Sequence, residues 1–226
     1  KVYKEKLENG IKIMIIPKKG IQKKYIIWGT NYGSNDSSFI VPGETEVTEV
    51  PKGVAHFLEH KMFDTKEGNA LQELAKNGAE PNAFTSNAMT GYYFDSTDHF
   101  EENLEILLSF VSIPYFTEES VAKEQGIIGQ EIQMYDDEPS WRVFFNLLRG
   151  MYHAHPVRID IAGTIDSIAQ IDADLLYRCY NTFYNLHNMV LSVAGNVNAD
   201  EVLEICDRLL KPCENHGLEQ VFPEEP

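Results

Sequence analysis

Two histidines and a glutamate fall inside five residues of one apolar run. The segment "GVAHFLEHKMF", residues 53–63, holds His56, Glu59 and His60, with Phe57 and Leu58 between them. On a helix each residue turns through about 100°, so the three polar side chains fall near 0°, 300° and 40°, within one arc of about 100°. Histidines four residues apart can grip one metal ion from consecutive turns, and Glu59 then lies beside the ion without binding it. That arrangement suits a water held at the metal whose proton Glu59 takes. Phe57 and Leu58 point away and anchor the helix in the core. The order HxxEH reverses the HExxH arrangement. An amphipathic helix with two incidental histidines would show the same five residues. A third ligand decides between the two readings, because catalytic zinc takes three protein ligands plus water.

Three downstream glutamates are spaced for that role. Glu124, Glu131 and Glu138 lie seven residues apart, two helical turns, and project from roughly one face. Glu138 precedes Pro139, which pushes it out of helical geometry and places it at a helix end. Glu131 lies mid-helix, after "GIIG", where Gly126 and Gly129 are expected to let the helix approach a neighbour closely. Glu131 is therefore the favoured ligand, completing a site for one zinc ion with His56 and His60. Glu124 is the favoured carboxylate for orienting a ligand or the water. Surface charge is the better reading of Glu138.

Hydrophobic periodicity supplies the elements that must hold these residues. "KLENGIKIMIIPKKG" places Asn9-Gly10 between two strand-like runs and predicts a hairpin. "KKYIIWGTNYGSND" predicts another strand. Residues 35–52 are polar, with Pro42, Gly43 and Pro51, and read as a loop. Helices are predicted over about 53–63 and 68–77, the second stopping at Asn77-Gly78. "EPNAFTS" and "MTGYYFDST" read as two strands joined by a short turn. "DHFEENLEILLSFVSI" has a helical period with Asp98 as its expected N-cap. Further helices are predicted at about 118–135 and 139–151 and in "IDADLLYRCYNTFY" and "NADEVLEICDRLLK", with a strand in "NMVLSVAGNV". Strands and helices interleave, with hairpins as well as helical crossovers. The class is α+β: a mostly antiparallel sheet with helices packed on it, over 1–226 as one domain.

Composition excludes several functions. Lys plus Arg number 19 against 35 Asp plus Glu, a net charge of −16, which argues against nucleic acid and against an anionic membrane surface. The apolar stretch "ILLSFVSIPYF" is too short to span a bilayer. Cys179, Cys206 and Cys213 are odd in number and form no CxxC pair. This pattern predicts free thiols in a reducing, cytoplasmic compartment, and the charged start "KVYKEKLENG" reads as a strand, not a signal peptide. His153 and His155 in "YHAHP" read as structural. Phosphate-loop, EF-hand and GxSxG patterns are absent.

The order and spacing of "GVAHFLEHKMF", "PNAFTSNAMTGYYFDS" and "SVAKEQGIIGQEIQMYDDEP" resemble the M16 (pitrilysin/insulinase) metallopeptidases, whose HxxEH signature is termed inverzincin. "GIIGQEIQMYDDEPSWR" and "HPVRIDIAGTIDSI" resemble the bacterial, processing-peptidase-like branch. The resemblance covers essentially the whole chain. It implies His56, His60 and Glu131 as zinc ligands, Glu59 as general base, and Glu124 as the second glutamate of the same helix. Asn82 and Ala83 match the edge strand that pairs with a peptide substrate. Tyr92 and Tyr93 are expected to support that sheet through core packing. The resemblance also implies a clamshell of two homologous halves, of which this chain is one; the same chain, a homodimer and a different subunit are the three places for the other. The rival expectation is a non-catalytic, M16-like peptide-binding or scaffold subunit.

Overall fold

The computed structural model describes residues 2–226. In chain order the elements are β1 (Tyr3–Lys6), β2 (Lys12–Pro17), β3 (Lys24–Thr30), β4 (Ser38–Ile40), β5 (Val47–Glu49), α1 (Val54–Lys61), β6 (Asp64–Thr65), β7 (Gly68–Asn69), α2 (Ala70–Lys76), β8 (Glu80–Thr85) and β9 (Thr90–Ser96). There follow α3 (Phe100–Ser112), α4 (Glu118–Asp136), α5 (Pro139–Met151), α6 (Ile165–Ile168), α7 (Ala173–Phe183), β10 (Met189–Gly195), α8 (Ala199–Leu209) and β11 (Glu219–Gln220). The main sheet runs β1-β2-β10-β3-β9-β8. Every neighbouring pair is antiparallel except β10 with β2. The α+β expectation therefore holds.

Strand alternation gives the sheet one buried face. Register aligns Ile13, Leu191, Trp28, Tyr92 and Ala83 as one row across five strands. The first four side chains of that row are almost wholly buried. The adjacent row of Ile15, Val193, Ile26 and Phe94 is equally closed. Helices α1, α2 and α3 pack on the β8–β9 end. The Tyr92 hydroxyl meets that of Tyr184 at 2.7 Å, so this tyrosine is core structure. Tyr93 packs on the opposite face of the sheet beside Tyr25 and Phe84.

The Asn9-Gly10 hairpin, the Asn77-Gly78 stop and the α4 and α5 spans form as the sequence predicts. Three local expectations are corrected. Residues 35–52 contain β4 and β5, which join β11 in a separate three-stranded sheet. Strands of three residues are too short to show alternation, and their partner β11 lies far along the chain. Asp98 does not cap α3. The cap position is His99, in a left-handed conformation at φ 53° with no side-chain cap, while the Asp98 carboxylate accepts from Thr97 Oγ1 instead (3.1 Å). Gly126 and Gly129 make no close approach: a side-chain carbon at either would meet nothing within 4 Å. Helix α4 is seated by Val121, Ile128 and Ile132.

Close approach occurs at the start of α1. Gly53 has φ 91°, and a Cβ there would lie 2.4 Å from the carbonyl oxygen of Ala162. Gly163 meets Lys52 in the same way. The "IAGT" loop is thereby locked against the first turn of the histidine helix, and Ser167 Oγ adds a 2.7 Å bond to the Lys52 carbonyl.

Candidate active site

Helix α1 is enclosed on nearly all sides. Phe57 and Leu58 are fully buried, as expected, and His56 and Glu59 are less than a tenth exposed. The imidazole rings of His56 and His60 lie 4.5 Å apart on consecutive turns. Helix α4 packs beside α1 and brings two of the three candidate glutamates to them. Glu131 Oε1 is 3.6 Å from His56 Nε2, and Oε2 is 3.6 Å from His60 Nε2. Glu124 Oε1 lies 2.9 Å from His60 Nδ1. Glu138 is not at the site; it caps α5, accepting from the backbone N–H and the hydroxyl of Ser140 (3.3 and 2.7 Å).

These contacts constrain the protonation states. Burial, with help from His60, pulls the His56 pKa down to about 3, so this ring is neutral near pH 7. Burial also pulls His60 down, but its bond to Glu124 and the charges of Glu59, Glu124 and Glu131 outweigh it and raise the pKa. If Glu124 accepts the Nδ1–H of His60, a neutral His60 presents its Nε2 lone pair toward Glu131. A proton on Nδ1 of His56, which is buried without a partner, would leave its Nε2 lone pair facing the same carboxylate.

Lone pairs from two rings and a carboxylate then converge on one space, which is stable only around a cation. His56, His60 and Glu131 each offer a ligand atom, all within 4.8 Å of one another. The 3.6 Å separations are close to the edge of about 3.4 Å expected for a tetrahedron with zinc–ligand bonds of about 2.0–2.1 Å. The donor set and its spacing therefore fit a divalent metal.

Glu59 stands beside this group and outside it. Burial raises its pKa, opposed by the bond from Thr85 and by His60. Thr85 Oγ1 donates to Glu59 Oε2 at 2.6 Å. Thr85 is missing from the sequence reading, although it lies two residues beyond Ala83 on the same inward side of β8. Tyr135 is also missing. It lies one turn beyond Glu131, and its phenol is pushed up by burial and then by the Glu131 charge.

Asn82 and Ala83 lie on β8, the edge of the main sheet. The Ala83 N–H donates to Asn82 Oδ1 at 2.8 Å. His153 and His155 form no metal group: the backbone N–H groups of His153, Ala154 and His155 donate to Glu225, and His155 Nδ1 accepts from Val157 N (3.1 Å).

Residues 39–165, more than half of the chain and including all of His56, Glu59, His60, Glu124 and Glu131, match the family described as "Insulinase (Peptidase family M16)". The chain belongs to the M16 family. Residues 170–226 match a second description, "Peptidase M16 inactive domain". The Bacillus subtilis (strain 168) protein named uncharacterized zinc protease YmfH is 52% identical over 202 residues, covering 89% of this chain and 47% of the relative. The Caenorhabditis elegans mitochondrial-processing peptidase subunit beta is 30% identical over 75% of this chain and 38% of its own length. A solved structure from Alicyclobacillus acidocaldarius, described as M16-like, superposes with a TM-score of 0.95 at 41% identity, over 100% of this chain and 54% of that one. The first half of the Escherichia coli periplasmic protease PqqL shares the fold at a TM-score of 0.81, with 23% identity over 99% of this chain and 49% of that one. The M16 chain described here thus spans about half the length of the curated relatives it matches.

Proposed function

We propose that this chain is the metal-binding half of an M16 zinc endopeptidase and that His56, His60 and Glu131 hold the ion. The observation that carries this reading is the convergence of those three side chains with Glu59 poised beside them. Two imidazoles and one carboxylate suit zinc, and three protein ligands leave a position open, as catalytic sites do. When bound, zinc supplies Lewis-acid polarisation of a peptide carbonyl and lowers the pKa of water.

The chain's own residues supply the rest. An extended peptide adds to the free edge of β8, where Asn82 and Ala83 offer backbone and amide groups. Glu59 takes the proton of the attacking water on a carboxylate oxygen and later passes it to the leaving amine. Thr85 holds that carboxylate in place. Glu124 fixes the tautomer and orientation of His60. A second M16-type half closes over the peptide and excludes water. The setting is the cytoplasm, and the residues that match the inactive-domain description contribute no member of the metal group. Among the described residues no helix is long and apolar enough to cross a membrane.

The test is elemental analysis of the purified full-length protein together with a quenched-fluorescence peptide library. About one zinc per metal-binding half is expected, with cleavage that stops on chelation and returns with zinc. A protein that stays metal-free after zinc is supplied would sink the reading and leave the scaffold role. Glu124→Gln is expected to weaken zinc binding about 10–100-fold, measured by competition with a chromophoric chelator. An unchanged affinity would show that Glu124 does not act through His60.

A further inference from the structure

The turn that follows β3 is built around a buried carboxylate that the metal group does not use. Asp36 is 3% exposed. Its Oδ2 accepts from the backbone N–H of Gly33 at 2.7 Å, and its Oδ1 accepts from Nε2 of Gln220 in β11. Its own N–H returns to the Gly33 carbonyl at 3.1 Å, so the turn closes on itself. Neither side-chain bond comes from a cation. A carboxylate buried among neutral partners is costly to keep ionised, and burial pushes the Asp36 pKa up to about 6 against the pull of both bonds. Such a group has a place where its bonds fix a geometry that an apolar side chain would leave loose.

What Asp36 fixes is the end of the β8–β9 hairpin. The closed turn offers two N–H groups to the hairpin turn: Ser34 donates to the Ser86 carbonyl and Asn35 to the Asn87 carbonyl, both at 3.0 Å. Gly33 lies so close that a Cβ there would sit 2.5 Å from the Asn87 carbonyl carbon and from the Ala88 nitrogen. Asn87 Nδ2 donates back to Ser34 Oγ at 3.0 Å, and Thr90 Oγ1 donates to the Tyr32 carbonyl at 2.9 Å. Thr85 stands between these anchors. It precedes Ser86 in the chain, is the register partner of Thr90, and lies 3.4 Å from the Thr90 hydroxyl. Its own hydroxyl is the one that donates to Glu59 Oε2. One residue beyond Asp36, Ser37 accepts from the Val50 N–H at 3.0 Å and from Lys52 Nζ at 2.7 Å, at the entry to α1. The turn thus touches both the strand that carries Thr85 and the approach to the helix that carries Glu59.

We propose that Asp36 is a positioning residue for Glu59: it folds the Gly33–Asp36 turn against the β8–β9 turn and so sets where the Thr85 hydroxyl meets the general base. This deepens the peptidase reading above and rests on the role given there to Glu59. Thr85 is the last paired residue of β8 and borders the turn, whereas Asn82 and Ala83 lie further back in the paired strand. Loosening the turn therefore reaches the proton transfer before it reaches the peptide-pairing edge. Asparagine can stand in for Asp36: its Oδ1 accepts from Gly33, and its Nδ2 donates to Gln220 once that amide turns over. Alanine supplies neither bond.

Steady-state kinetics on the zinc-loaded full-length protein, paired with carboxyl footprinting by a carbodiimide and glycine ethyl ester, tests this. Asp36→Ala is expected to lower kcat about tenfold with KM and zinc content little changed, and Asp36→Asn to bring kcat back to within about twofold of the unmodified protein. Thr85→Val is expected to lower kcat as well, and Asp36→Ala added to it to lower kcat no further, because both act through one hydroxyl. An Asp36→Ala variant with unchanged kcat, a loss confined to KM, losses that multiply in the double variant, or an Asp36→Asn variant as slow as Asp36→Ala each overturn the inference. Footprinting reads the same contact without turnover. Glu59 is 7% exposed, and in Asp36→Ala its labelling is expected to rise about fivefold relative to the exposed Glu67. Where Asp36→Ala does not fold, as far-UV circular dichroism would show, Gln220→Met removes one of the two bonds and takes its place, with the same directions expected in both measurements. Unchanged Glu59 labelling overturns the inference whether or not the unmodified protein cleaves peptide. Raised labelling in the variant of a protein that binds zinc but cleaves nothing counts against the peptidase reading alone.

Discussion

His60→Ala is expected to empty the metal site and end peptide cleavage. The imidazole has two jobs in this geometry. Its Nε2 faces Glu131 at 3.6 Å as one of three converging donors, and its Nδ1 meets Glu124 at 2.9 Å. Apparent zinc-binding free energies of about 10–16 kcal/mol in four-ligand sites put one ligand at roughly 3 kcal/mol, about a hundredfold in affinity. Elemental analysis should find the variant nearly zinc-free, and cleavage should fall to the level of the chelated protein. Retention of about one zinc per chain would move the site elsewhere. The unmodified protein carries a matching pH signature. Protons compete with metal for His60, whose pKa is raised by its three carboxylate neighbours despite burial. The neutral ring is the ligand, so zinc affinity falls progressively as pH drops below the His60 pKa, and release follows once protons outcompete the ion. His56, held near pH 3, does not compete until far more acid conditions.

The site was legible where its geometry is local. His56, Glu59 and His60 share a helix face by spacing alone, and the flanking Phe57 and Leu58 fix which way that face turns. The seven-residue repeat of glutamates predicts a shared face on α4, and Pro139 correctly separates Glu138 from it. The preference for Glu131 over Glu124 rests on the neighbouring "GIIG", whose close approach α4 does not make; in the structure the two differ because Glu131 faces both histidines while Glu124 meets Nδ1 of His60. Thr85 depends on α1 packing above the β8 edge, a non-local fact. The three-residue strands β4 and β5 are hidden for the same reason, because β11 completes their sheet from far along the chain. The glycines of "GIIG" suggest a helix contact that α4 makes instead with Val121, Ile128 and Ile132. The glycines that admit backbone contact at the start of α1, Gly53 and Gly163, reveal themselves only through each other. The helical period of α5 was plain, but which of its faces meets solvent depends on Trp141 and Phe145 turning inward.

Glu59→Gln separates catalysis from metal binding more cleanly than any ligand variant. The amide is nearly isosteric with the carboxylate, and its oxygen can still accept from Thr85 Oγ1, now 2.6 Å from Oε2. Glu59 lies outside the three-residue metal group, so zinc content should be unchanged. What disappears is a base. Burial raises the carboxylate pKa, against the pull of Thr85 and His60. That shift favours proton transfer near neutral pH, since the best base has a pKa close to the working pH. Loss of a positioned general base costs about 10²–10⁴-fold in rate. The loss should fall on kcat, with KM little changed, because the residue acts on the proton in flight and not on the bound peptide. A zinc-loaded variant with undiminished kcat would remove Glu59 from the mechanism and leave the buried carboxylate as a partner of Thr85. A variant that loses its zinc would instead place Glu59 among the ligands, against the geometry that puts His56, His60 and Glu131 together without it.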